Sequence, residues 1–500
     1  MSTRQPLWTE QLPPRLAAAL MLAVSLIIAY VTADHLVWNT TPRPWVLFYL
    51  ALPGALAVLL ALLPGRISNR QFLVLLLGSA LLLKGMAAVL IPTQPESDFW
   101  KLYDAARQLA QGQNLLNTDT YFQRWPYQSG FVAWMSLFIR WFGAGVPFFQ
   151  LTNALCSAAS NGLIYVLARR FASESSARGA ALLYLLYPGG YFLLPVLTNQ
   201  HLSELLLLLA LWACTHPAEG TRARCLWGGV GGALLALSNA IRPMAPVILL
   251  AAAAFAAMGL LGWLFRRGTS VWAALGPWAC FLLTYFLSWS ILDAVTILSG
   301  LNGLGLTNQV PEWKWILGLN PATHGGYSPS DAAAVFQSGR PVSQAAGELL
   351  RQRLALSPGD LLKLFWEKIR IMWGSFEDPS WALTDQVWAD LTRLGWGEQV
   401  LSLVHKLCRL ASGMYVWISL LSGAGALARL RRPRPFPWPG TLVMLCALAY
   451  FAAHLFIEIQ PRYRSTMTVF LILLAAPGLE LCRKGLAALR THLCCRGGDA

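Results

Sequence analysis

Asp98 is the acidic residue best placed to do chemistry. It follows the apolar run Gln71 to Ile91 and opens an amphipathic segment, Pro95-Glu96-Ser97-Asp98-Phe99-Trp100, that continues to Tyr121 and the aromatic turn Trp125-Pro126-Tyr127-Gln128. From Phe99 the apolar residues Leu102, Tyr103, Ala106, Leu109 and Ala110 keep helical spacing, with Lys101, Asp104, Arg107 and Gln108 between them. That pattern predicts a helix lying flat on a membrane surface. Ser97 is expected to cap it, and the helix dipole favours an ionised Asp98 in the first turn, competent as a general base. Glu96 is the nearby second carboxylate that could share the role. The plainer alternative is an acid that only decorates a helix start.

Other polar residues stand at the ends of apolar runs. Lys84 lies inside one, where an unpaired ammonium is costly and therefore usually functional or paired. Thr198-Asn199-Gln200-His201-Leu202-Ser203-Glu204 opens another, Ser238-Asn239-Ala240-Ile241-Arg242-Pro243 turns out of a third, and Glu458-Ile459-Gln460-Pro461-Arg462-Tyr463-Arg464 connects the last two. A guanidinium fork matches phosphate oxygens, so Arg462, Arg464 and Arg242, with Lys84, are the expected phosphate ligands. Tyr127, Gln128, His201, Glu204 and Glu458 are the further candidate substrate-binding residues. Each has a structural alternative: Glu204 as the partner of an arginine in helix packing, His201 as a polar helix-start residue, Arg462 and Arg464 as snorkelling anchors. His201 and Glu204 alone make a poor metal site, so no cofactor is expected and a divalent metal is left open.

The elements that position these residues are membrane helices. The chain of 500 residues is 56% hydrophobic and 12% charged, with mean hydropathy +0.50, which sets it apart from a soluble domain. Runs of roughly 17 to 25 residues, enough to cross about 30 Å of hydrocarbon, occur at Pro14 to Ala33, Trp45 to Leu63, Gln71 to Ile91, Val146 to Ala168, Ala177 to Leu197, Thr198 to Thr215, Leu226 to Ala240, Pro243 to Phe265, Val271 to Leu298, Arg409 to Leu427, Gly440 to Ile457 and Tyr463 to Leu481. The expectation is an all-α polytopic protein of about twelve spans. Gly130 to Phe142 is too short to cross and reads as an interfacial helix.

Arg4, Arg15, Arg66, Arg70, Arg169, Arg170, Arg178, Arg222, Arg224, Arg266, Arg267, Arg429, Arg431, Arg432, Arg434, Arg483 and Lys484 all fall on one side of this segmentation. Basic residues at short connections set topology, so both termini are expected to be cytoplasmic, with the first apolar segment a retained span. The formal charge of +15 then reflects contact with anionic lipid head groups rather than nucleic acid. Most cysteines sit inside spans and imply no disulfide framework, while Cys494 and Cys495 read as unmodified tail thiols.

The expected organisation is a tail and two spans over 1–70, a transmembrane module over 71–298 that includes a first outer loop at 92–145, an outer loop domain over 299–408, C-terminal spans over 409–484 and a cytoplasmic tail over 485–500. The second outer loop carries the aromatic cluster Trp366, Trp373, Phe376 and Trp381, which suggests packing against the membrane or the transmembrane body.

Ser97-Asp98-Phe99, Ala105, Gly112, Tyr121, Trp125-Pro126-Tyr127-Gln128 and Phe142-Gly143 resemble the first outer loop of GT-C fold glycosyltransferases. Arg169-Arg170-Phe171, Asn239-Ala240-Ile241-Arg242-Pro243 and Gln460-Pro461-Arg462-Tyr463 extend the resemblance over most of Gln71 to Leu481. The chain looks like the protein O-mannosyltransferase and lipid A aminoarabinose transferase superfamily, in its bacterial envelope branch. The resemblance implies a GT-C fold in the plasma (inner) membrane and an inverting transfer from a polyprenyl-phosphate-linked sugar, such as an undecaprenyl-phosphate sugar. The acceptor is a glycan, lipid or protein on the outer side, and Asp98 is the base. Two positions depart from it: Phe99 stands where many relatives have a second acid, and Gln200 where a glutamate is common. The alternatives are an O-antigen ligase or polymerase, with chemistry on His324 or Arg340, and a lipid-linked-sugar transporter or flippase, which predicts paired broken helices.

Overall fold

The structure, a computed structural model, describes residues 8–62, 67–265, 270–432 and 438–496. Arg4, Arg66, Arg266, Arg267 and Arg434, which entered the orientation argument, lie outside the described residues, as do the side chains of Cys494 and Cys495.

The described residues are helical and connected without strands. In chain order the helices are α1 (Trp8–Trp38), α2 (Pro44–Ala61), α3 (Asn69–Leu90), α4 (Ser97–Ala110), α5 (Thr120–Arg124), α6 (Ser129–Phe142), α7 (Val146–Ala168), α8 (Glu174–Leu186), α9 (Gln200–Cys214) and α10 (Gly220–Ile241). They continue as α11 (Ala245–Phe265), α12 (Val271–Leu298), α13 (Trp313–Gly318), α14 (Pro329–Phe336), α15 (Val342–Leu354), α16 (Pro358–Ile369), α17 (Asp385–Arg393), α18 (Gly397–Arg431), α19 (Pro439–Phe456) and α20 (Arg464–Arg496). Among the described residues nine helices are long and apolar enough to cross a membrane: α1, α2, α3, α7, α11, α12, α18, α19 and α20.

The other three expected spans are also helices, but they differ from simple crossings. α10 has the length, yet its glycines and Arg222 and Arg224 lower its hydropathy. The run Ala177 to Leu197 is not one span. Helix α8 stops at Leu186 because Pro188-Gly189-Gly190 cannot continue it, and residues 187–199 then fold irregularly into the body before α9 begins.

Irregular backbone at membrane depth survives only where protein satisfies its polar groups, each of which costs several kcal/mol if left bare in hydrocarbon. Helix α7 supplies the partners. Gln150 donates to the carbonyls of Thr93 and Pro195 at 3.0 and 2.7 Å, and Asn153 to those of Leu194 and Val196 at 3.3 and 2.7 Å. Asn199 donates to the Ile241 carbonyl at 3.0 Å, which ties the start of α9 to the end of α10.

Gly130 to Phe142 is realised as α6, beginning one residue earlier, and α4 packs against it. The segment that begins at residue 299 gives way to the next long helix before the expected boundary at 408. Helix α18 starts at Gly397 and runs unbroken to Arg431, because the polar residues Glu398 to Lys406, which look like loop, continue the helix beyond the apolar span. The aromatic cluster docks this segment on the bundle. Trp373 is buried and stacks on Phe451 of α19 at 5.7 Å, Phe376 meets His35 of α1 at 4.7 Å, and Trp381 meets Phe99 of α4 at 5.3 Å. Lys368 on α16 adds a polar anchor by donating to the carbonyls of Gly318, Leu455 and Ile457 at 2.7 to 2.9 Å.

Candidate active site

One end of the bundle gathers the exits of α3, α10 and α19 and the starts of α9 and α20. Gln200 donates its amide to the Arg462 carbonyl at 3.0 Å and to Ser465 Oγ at 3.1 Å, while Tyr450 donates to the Tyr463 carbonyl at 2.7 Å. These bonds fix the turn Pro461–Tyr463 on the start of α9. A glutamate at position 200 would face that carbonyl with no proton to give, so glutamine suits the contact made here.

Asp98 lies on α4 close to Arg462, Lys314, Lys101 and Glu458. Its side chain keeps an accessible surface, yet the surrounding protein excludes enough water to push its carboxyl above the usual 3.8, against the pull of the three cations. Ser97 does not cap the helix as expected. The cap position is Glu96, without a side-chain hydrogen bond, and Ser97 has φ +52°, a left-handed conformation that is unfavourable for a residue with a Cβ. Glu96 itself is exposed.

Arg462 is the residue that joins two halves of the site. Its guanidinium lies in an aromatic slot, 4.6 Å from the Trp381 ring centre, 5.0 Å from Phe99 and 5.7 Å from Tyr463. Its Nε and Nη1 are buried without a hydrogen-bond partner. Phe99 is thus a wall of the arginine slot. On the far side is a small recess of about 30 Å³, lined by Arg462, His201, Glu204, Glu377, Asp378 and the rings of Tyr184 and Tyr187, room for a few waters or one small polar group. His201 is 5% exposed, and among the described residues its ring nitrogens make no hydrogen bond of good geometry, with the Leu193 backbone as a polar neighbour. Two buried sets of unsatisfied nitrogens around one recess are what an anion or a hydroxylated ligand would complete.

The remaining expected residues divide. Tyr127 sits among Asp98, Lys314, Glu458 and Tyr463, and burial raises its phenol pKa. Gln128 donates to Tyr121 at 3.4 Å and leaves its Oε1 buried and unpaired. Arg242 donates to Asn199 Oδ1 at 3.1 Å and lies 5.0 Å over Tyr463, at the edge of the site. Glu204 accepts from Ser465 and Thr466 at 2.7 and 3.0 Å, so it holds the start of α20 through hydroxyls, with no arginine paired to it. Glu458 pairs with Lys314 and accepts from Gln460 at 3.1 Å; burial works against its charge, but Lys314 keeps its carboxyl below the ordinary value.

Two expected phosphate ligands do not fit that role. Arg464 is 1% exposed, donates to the carbonyls of Trp373 and Ser375 at 3.1 and 2.8 Å and pairs with Glu377 at 3.3 Å, so it clamps the π turn Arg370–Gly374 onto the bundle. Lys84 is fully buried, donates to Ser157 Oγ at 2.7 Å and lies 4.1 Å over the Tyr184 ring, one layer behind the recess. His324 and Arg340 stand apart: both are exposed, and Arg340 pairs with Glu348 at 2.7 Å.

Lys314, Glu377, Asp378 and Trp381 were not among the candidates. Lys314 sits between two tryptophans with no local motif, whereas Glu377-Asp378-Pro379, an acidic pair inside the aromatic cluster, was a usable signal. Glu377 accepts from Tyr187, and Gly189 lets it approach, since a Cβ there would lie 2.7 Å from the carboxylate. Among the described residues no group of three His, Cys, Asp or Glu side chains is arranged to hold a metal.

Lys314 offers a test of the electrostatics. It lowers the Asp98 pKa, so Lys314→Met should move the acidic limb of an Asp98-dependent rate to higher pH, and Lys314→Arg should leave it in place. A limb unmoved by Lys314→Met would show that another group controls it.

No protein-family model and no curated protein matches the chain. Among solved structures it is similar to the oligosaccharyltransferase of Archaeoglobus fulgidus in the apo form, with 14% identity, a TM-score of 0.42, and coverage of 85% of this chain and 52% of that one. The archaeal oligosaccharyltransferase AglB of the same organism, in complex with an inhibitory peptide and a dolichol-phosphate, is similar at 12% identity and a TM-score of 0.39, over 86% of this chain and 52% of that one. The chain therefore spans about half the length of these solved structures. Likeness at this level leaves the reaction to be argued from the site itself.

Proposed function

We propose that the protein is a GT-C-type inverting glycosyltransferase that moves a sugar from a polyprenyl-phosphate carrier to an acceptor on the outer face of the plasma (inner) membrane. The observation that carries this reading is the pairing of a base with a raised pKa, Asp98, and an aromatic-lined arginine, Arg462, whose buried guanidinium nitrogens await a partner. They sit together at the end of a largely apolar bundle, where a lipid-borne phosphate would arrive.

In this mechanism the acceptor hydroxyl gives its proton to Asp98 while its oxygen attacks the anomeric carbon. The bond from that carbon to the phosphate oxygen breaks, and the polyprenyl phosphate leaves with the electron pair. Arg462 stabilises the charge that develops on it, with His201 in the same recess as a second hydrogen-bonding group. Burial beneath the segment 299–396 lowers the local dielectric and strengthens that interaction. Glu458 and Lys314 position Tyr127 and the approach to Asp98, and the outer segment shapes the acceptor path. The positive-inside pattern supports cytoplasmic termini and an outward site.

The direct test is mass spectrometry of lipids and envelope glycans from cells with and without the gene. Loss of one single-sugar addition, together with accumulation of its lipid-linked donor, is expected. Unchanged glycans with no accumulated donor would count against the reading.

A further inference from the structure

A sizeable cavity lies at the opposite end of the bundle, and the proposed transfer makes no use of it. It encloses about 420 Å³ between α10, α11 and α12, closed by the end of α9 and the start of α19. Three helices each turn a complete face toward it at helical spacing: Arg224, Trp227 and Gly228 on α10; Phe255, Met258, Gly259, Gly262 and Trp263 on α11; Ala273, Ala274, Pro277, Trp278 and Phe281 on α12. Helix α11 leans on α19 and α12 rather than on α10, and this leaves the gap.

The surroundings of the cavity are apolar and outward-facing. Leu261, Leu264, Trp272, Leu283, Phe286 and Leu287 are exposed on the same two helices, α11 and α12. In a membrane that surface meets lipid, and protein interiors rarely keep so large a void empty.

Polar groups occupy one end of the cavity alone. Arg224 has no carboxylate within ion-pair distance among the described residues and makes only long contacts, at 3.5 Å, with Gly220 and Thr221. His216 stacks on Trp227 at 4.1 Å, and its Nδ1 is buried without a hydrogen-bond partner. Ser270 lies at the same level, at the start of α12. From Ser270 to Phe281 the wall runs about 16 Å at ~1.5 Å per residue. That is close to one leaflet's share of a hydrocarbon core of about 30 Å.

We infer that this cavity holds one anionic phospholipid of the adjoining leaflet, its phosphate at Arg224 and His216 and an acyl chain along Trp227, Trp263, Trp278 and Phe281. The polar end is cationic and lies at the level of the helix ends, and the tail end is apolar and one leaflet deep. A zwitterionic lipid would fill the same space, but its choline or amine would meet Arg224.

The test is native mass spectrometry of the full chain, delipidated in detergent and titrated separately with phosphatidylglycerol, phosphatidylcholine and undecaprenyl phosphate. Phosphatidylglycerol should bind first, about fivefold or more tighter than phosphatidylcholine, the preference that a single basic residue at a lipid head group confers. Gly262→Phe, at a cavity-lining position where an added Cβ would meet nothing within 4 Å, should remove the first adduct of both phospholipids. Arg224→Ala should reduce phosphatidylglycerol to the affinity of phosphatidylcholine and leave the latter unchanged. Equal binding of the two phospholipids by the wild-type chain, or an adduct indifferent to Gly262→Phe, would overturn the inference. Preferred binding of undecaprenyl phosphate would overturn it as well, because the cavity would then belong to the carrier.

Discussion

Asp98→Asn is expected to abolish most transfer, by about two to four orders of magnitude, the usual reach of general-base catalysis. The substitution keeps the shape of the side chain and removes only its ability to take a proton. Folding should not suffer. Burial raises the Asp98 pKa above 3.8, so the folded chain holds that proton more tightly than the unfolded chain does. The sign follows: between 3.8 and the raised value the fold loses stability as pH rises, and above it the ionised carboxylate is held at a cost. Asparagine carries no such cost, so the variant should melt at or slightly above the wild-type temperature near neutral pH. The same shift predicts that wild-type transfer falls, as pH is lowered, at a higher pH than an ordinary aspartate would give. Purified Asp98→Asn with near-wild-type turnover would sink the assignment, and Glu96→Gln would then be the variant to measure.

Much of this architecture is visible in the sequence because bilayer thickness and helical period leave few choices. Val146 to Ala168 is read to the residue, since Gly143-Ala144-Gly145 before it and Arg169-Arg170 after it bound the run, despite Gln150, Asn153 and Asn161 inside it. The break after Leu186 is harder to see. A hydropathy window averages Pro188-Gly189-Gly190 with the leucines around them, although those three residues end the helix and the two glycines line the recess. At the site, the alternation of spans collects Asp98, Glu204, Arg242, Glu458, Arg462 and Arg464 at one end, and of these Asp98, Glu458 and Arg462 lie close together while Arg464 turns away to hold the backbone of Trp373 and Ser375. Parity gives no direction for a side chain. Arg462 and Arg464 are two residues apart and look equivalent in sequence, yet Arg462 stacks between rings beside the recess, while Arg464 gives Nη1 to the carbonyls of Trp373 and Ser375 and pairs with Glu377, with only its Nη2 left unpartnered. Tertiary partners from a segment about ninety residues earlier decide between them, and no local pattern records that.

Arg462 should therefore carry the second large effect, and Arg464 should not carry the same one. Arg462→Lys keeps the charge and loses the planar fork and its stacking on Trp381 and Phe99. It should lower transfer about tenfold to a hundredfold, the range of a charge-assisted hydrogen bond lost. Arg462→Ala should lower it by about two to three orders of magnitude, comparable to removal of an oxyanion donor, and should weaken binding of free polyprenyl phosphate. The turn itself should persist, because Gln200 and Tyr450 hold the backbone of residues 462 and 463 rather than the side chain. Arg462 also pulls the Asp98 pKa down, so the alanine variant should move the acidic limb of the residual activity to higher pH while the lysine variant keeps it near the wild-type position. A loss of phosphate binding together with that displacement would separate a ligand of the carrier from a residue that merely packs. If both variants kept donor binding and turnover while Arg242→Ala abolished them, the phosphate would belong to the Arg242-Pro243 turn. If neither arginine mattered to turnover, the glycosyltransferase reading would lose the observation on which it stands.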